Sequence, residues 1–82
     1  MELTKEEFEN KYKEIIYNPY TEAWQIMKTL RSADLESDKT WEEYMKKCDD
    51  FRAKYPTEIG GSIYRVMLDN GDACRRIKSE VY

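Results

Sequence analysis

Between Trp41 and Tyr55, six apolar side chains (Trp41, Tyr44, Met45, Cys48, Phe51 and Tyr55) fall within about 120° of arc when the chain is wound at 100° per residue. A stripe of that width commits the segment to an amphipathic helix with one buried face. The opposite face carries Glu42–Lys46, Glu43–Lys47 and Asp50–Lys54, each acid four residues before its base, the orientation that supports a helix. Thr40 with Glu43 reads as a capping box, which predicts a helix over 40–55 closed by Pro56.

The same reasoning finds helices on either side. Thr4 and Glu7 form a capping box, Leu3 and Phe8 are placed for a hydrophobic staple, and Phe8, Tyr12, Ile15 and Ile16 share one face. Asn18-Pro19 is expected to end this first helix near Tyr17 and to start a second over 19–32, with Asn18 as cap and Pro19 at its first position. The second stripe is Tyr20, Ala23, Trp24, Met27 and Leu30, and 32–39 is read as a polar, acidic loop.

Asn70-Gly71 is a hairpin signal. A two-residue loop there would set Asp69 against Asp72 and Arg65 against Arg76, and like charges across a ladder are destabilising. A helix instead keeps two stripes in phase through the glycine: an apolar one containing Ile63, Met67, Cys74 and Ile77, and a charged one, Arg65, Asp69, Asp72 and Arg76. Helix is therefore expected over 58–80, with Gly71 costing about 1 kcal/mol relative to Ala. The fold expected is an all-α, single-domain bundle over 1–82, of four helices, or five if Gly71 breaks the last.

Composition narrows function by exclusion. The chain of 82 residues has no histidine, the side chain that most often serves as general base and metal ligand near neutral pH. Asp34-x-Glu36-x-Asp38 resembles the start of a calcium loop, but the sixth and twelfth positions are Lys39 and Met45 rather than Gly and Glu. Cys48 and Cys74 fall on core faces and read as small buried hydrophobes rather than a disulfide. Gly60-Gly61 lacks the Lys-Ser/Thr of a phosphate loop. No enzyme, cofactor or metal is expected. A net charge of −3 and a pI near 5.0 disfavour direct nucleic-acid binding. No leader or membrane span is read in the chain, and a cytoplasmic protein is expected.

What remains is a non-enzymatic protein-binding module, acting by surface occlusion or scaffolding. A small regulator or inhibitor encoded by a phage or other mobile element is one form of it, and a basic nucleic-acid-binding protein one kind of partner. Tyrosine and arginine off the core stripes mark the contact surface: Tyr64, Leu68 and Arg75 on the last helix, with Tyr17 and Tyr20 at the expected corner. Two alternatives belong to other classes. One is a homo-oligomer through Ile63, Met67, Asn70, Cys74, Ile77 and Val81, although a domain this small is expected to need that seam internally and to stay monomeric. The other is nucleic-acid association through Arg65, Arg75, Arg76 and Lys78.

Overall fold

A computed structural model describes residues 2–80 as three helical stretches, with no strand among the described residues. The all-α class stands, but the helix count does not. The expected first and second helices are one rod over residues 5–31, made of α-helix Lys5–Tyr12, a π turn Lys13–Tyr17, α-helix Asn18–Met27 and a 3-10 turn Lys28–Arg31. Asn18 does not cap a helix. It lies inside the rod in right-handed helical conformation (φ −62°, ψ −45°), although it precedes proline.

The π turn explains how. The Asn18 N–H donates to the Lys13 carbonyl, five residues back instead of four. Proline in a regular helix lacks a donor and collides with the carbonyl four residues earlier. The wider turn just before Pro19 relieves that collision, so the backbone passes through without leaving the helix.

The second helix, Asp38–Lys54, starts two residues before the expected Thr40. Thr40 is thus a first-turn residue, its N–H donating to the Ser37 carbonyl at 3.1 Å, rather than a cap. The earlier start follows from the acidic loop. Asp34 Oδ1 accepts from the Glu36 N–H at 3.1 Å, and Trp41 Nε1 donates to the Leu35 carbonyl at 2.8 Å, which ties the loop to the helix. The third helix, Glu58–Ser79, runs unbroken through Gly71. Its cap is Thr57, whose hydroxyl accepts from the Gly60 N–H at 2.9 Å, just as Thr4 accepts from Glu7 at 3.1 Å.

The core is Ala23 and Leu30 from the rod, Tyr44, Cys48 and Phe51 from the second helix, and Ile63 and Met67 from the third. At Gly71 the third helix packs against the rings of Trp41 and Tyr44, and a Cβ there would lie 3.4 Å from each. Burial raises the Tyr44 hydroxyl to a pKa of about 12, and it donates to the Met67 carbonyl. Cys48 and Cys74 are free thiols, the first buried and the second half-buried against the core.

The rod outruns its partners. The second helix ends beside Glu22, where Lys54 Nζ lies 3.1 Å from the Glu22 carboxylate and the Tyr55 hydroxyl donates to it. Everything before residue 18 therefore overhangs, about 20 Å of helix at 1.5 Å per residue. The molecule measures 52 × 23 × 19 Å. Its radius of gyration is 15.4 Å, against about 12 Å for a compact domain of this length.

The Glu22 junction titrates. The Tyr55 hydrogen bond, then Lys54, hold its carboxyl below the ordinary 4.5, with partial burial opposing. A depressed carboxylate stabilises the fold above its unfolded pKa and loses that contribution as pH falls through the folded value. The carboxylate is more than a third exposed, so the contribution is small, a few tenths of a kcal/mol at most. Glu22→Gln should thus be slightly less stable than the parent at pH 7, and the difference should close as acid protonates the Glu22 carboxyl. Urea midpoints from pH 7 into acid check this; a difference that persisted in acid would assign it to packing instead.

Candidate functional site

No buried residue belongs to Lys5–Tyr12 or to the π turn, and Lys5–Tyr12 makes no substantial contact beyond its own rod. The stripe Phe8, Tyr12, Ile15 and Ile16, expected to be core, is consequently left uncovered, with only Ile16 half-buried. Leu3 and Phe8 are both more than half exposed, so their expected staple seals nothing. Beyond the π turn, Pro19, Ala23 and Leu30 turn into the core, while Tyr20 and Trp24 stay 56% and 50% exposed. Trp24 is thus a surface residue where the stripe placed it inside.

Four of these exposed rings form one row with half-buried Ile16. Phe8, Tyr12, Ile16, Tyr20 and Trp24 are spaced four apart, and in a regular helix each such step drifts by about 40°, some 160° in all. The π turn holds one extra residue, which sets the phase back by about 100° and leaves a drift of about 60°. The five side chains then run along one side of the rod for about 24 Å. Phe8 and Tyr12 already stack, with ring centroids 6.3 Å apart. Tyr17, 58% exposed, flanks the row.

The other expected contact residues are placed differently. Tyr64 is half-buried against the core, and its hydroxyl donates to Asp49 Oδ1 at 2.8 Å, which raises its pKa. Arg75 stacks its guanidinium 4.0 Å over the Trp41 ring. Leu68 is half-buried at an open groove shared with Arg52 and Arg65. Tyr64 and Arg75 therefore each engage the second helix, and the two lie about 16 Å apart along the third. Tyr17 and Tyr20 are both exposed, on either side of Pro19 in a helix that continues through it.

The oligomer seam is used internally over its first half. Ile63 and Met67 are buried, and the Asn70 side-chain amide donates to the Tyr44 hydroxyl at 3.4 Å. Ile77 is exposed, and Val81 lies outside the described residues. Among the described residues, no three His, Cys, Asp or Glu side chains are grouped to hold a metal ion. No helix of the described residues is long and apolar enough to cross a membrane.

No protein-family model matches the chain, and neither a curated protein nor a solved structure matches it. Residue roles rest on the geometry alone.

Proposed function

We propose that the protein is a non-enzymatic binding module whose contact surface is the aromatic row of the first rod. The observation that carries this reading is the overhang: an apolar, ring-rich helix face that the protein's own core leaves uncovered. The largest apolar patch on a monomeric protein typically covers roughly 300–600 Å² and is often functional. The four half-exposed rings, each of roughly 150–250 Å² in full, present about 420 Å² on this face. A regulator acting by occlusion is one use of such a face.

Affinity capture from native cell extract tests the surface. Tyr12→Glu with Tyr20→Glu should abolish retention of any specifically bound protein, whereas Tyr64→Ala with Arg75→Ala should leave it within about threefold, the behaviour of residues outside a hot spot. Loss through the second pair alone, with the fold intact, would move the contact surface to the third helix.

A further inference from the structure

Resting on that reading, we infer that the occupant of the row is a second copy of this chain, paired antiparallel about a two-fold axis at Ile16. The row is nearly palindromic in size and chemistry: Phe8 and Trp24 stand eight residues either side of Ile16, and Tyr12 and Tyr20 four either side. Antiparallel pairing sets Phe8 against Trp24, Tyr12 against Tyr20, and Ile16 against itself. Every large residue meets its counterpart with one operation, as an isologous contact requires.

Charge selects the same orientation. The overhanging tip carries Glu2, Glu6, Glu7 and Glu9 against one base, Lys5, whereas the far end of the rod carries Lys28 and Arg31, all of them exposed. With Ile16 at the axis, Lys28 comes opposite Thr4, one turn from Glu7. Lys11 comes opposite Thr21, beside Glu22. A parallel pair would bring the two net-acidic tips together, which is unfavourable. Electrostatics of this kind set orientation more than strength.

The area suits a weak pairing, and access is open. The four rings expose about 420 Å² per copy, or roughly 840 Å² in the pair before Ile16 and the flanking polar residues are added, the size of a weak, concentration-dependent interface. The second and third helices pack on the side of the rod bearing Pro19 and Ala23, while Tyr20 and Trp24 stay exposed beside that side, which leaves the row open to an approaching helix. The overhang itself gains a purpose in this arrangement. Each copy's tip reaches past its own body and lies along the root of the other.

Sedimentation equilibrium from 1 to 200 µM tests the pairing on the full chain. The parent should move from monomer to dimer mass across this range, with a melting temperature that rises with concentration. Ile16→Lys and Tyr20→Lys should each weaken association at least a hundredfold, because every substitution acts twice across the axis, while circular dichroism of the dilute protein stays unchanged. Tyr20 is well exposed, so that variant keeps the test readable if a lysine at half-buried Ile16 disturbs folding. Under mild oxidation Ile16→Cys should form a disulfide-linked dimer and Asn10→Cys should not. Monomer mass at 200 µM, or a dimer unaffected by Tyr20→Lys, overturns the pairing. If the parent is monomeric but row substitutions still abolish capture of another protein, self-pairing fails and the binding surface stands. If neither depends on the row, both readings fall.

Discussion

Gly60→Ala should destabilise the protein by at least about 3 kcal/mol, the upper end of ordinary overpacking, and lower its melting temperature by more than about 12 °C. A Cβ at this position would lie 2.0 Å from the Tyr55 carbonyl oxygen and 2.9 Å from the Tyr55 Cβ. The obstacle is backbone and cannot swing away. The Tyr55 carbonyl is fixed besides, since it accepts from the Arg52 guanidinium at 2.9 Å. Nor can Gly60 retreat easily, because its N–H is bound by the Thr57 cap. Relief would need the turn between the second and third helices to open, undoing the junction that aligns them.

Gly71→Ala provides the contrast within the same helix. Its Cβ would meet the Trp41 and Tyr44 rings at 3.4 Å, ordinary contact, while alanine recovers up to about 1 kcal/mol of helix propensity. That variant should be neutral or slightly stabilised. Thermal melts of both settle the point: a Gly60→Ala protein within about 1 kcal/mol of its parent would mean that the close approach at Tyr55 does not hold.

Much of this was legible in the sequence. The stripe from Trp41 to Phe51 puts Tyr44, Cys48 and Phe51 into the core, and Thr4 caps the rod as read. The third helix keeps its phase through Gly71 because the two stripes there were long enough to outweigh one glycine. Asn18-Pro19 misled because the local rule for residues before proline assumes regular helical hydrogen bonding. A single five-residue hydrogen bond removes the conflict, and nothing in the local residue types announces it.

The exposed row was hidden by the same turn. Constant four-residue spacing from Phe8 to Trp24 is visible in the sequence, yet on a regular helix it spirals around the axis and defines no face. Amphipathicity marks which side of a helix is apolar, not what covers it. Coverage depends on comparative length: a second helix of 17 residues runs alongside a rod of residues 5–31 and stops beside Glu22. Once the rod is known to be continuous, the overhang follows from that difference.

Two phenylalanines turn this geometry into opposite expected outcomes. Phe51 is 2% exposed and packs its ring 5.0 Å from that of Tyr55, so Phe51→Ala should cost about 3–5 kcal/mol through lost burial and the cavity left behind. Phe8 is 58% exposed on the overhang and contacts only its own rod, so Phe8→Ala should cost under about 0.5 kcal/mol. Both values refer to dilute protein, where any association is removed, and urea unfolding there measures them. The row predicts a second effect of the Phe8 change, visible only in concentrated protein: its ring meets Trp24 of another copy, so Phe8→Ala should weaken association while leaving the single chain intact. A loss of several kcal/mol from Phe8→Ala in dilute protein would mean that the tip folds back onto the body. The surface on which both the binding reading and the self-pairing rest would then not exist.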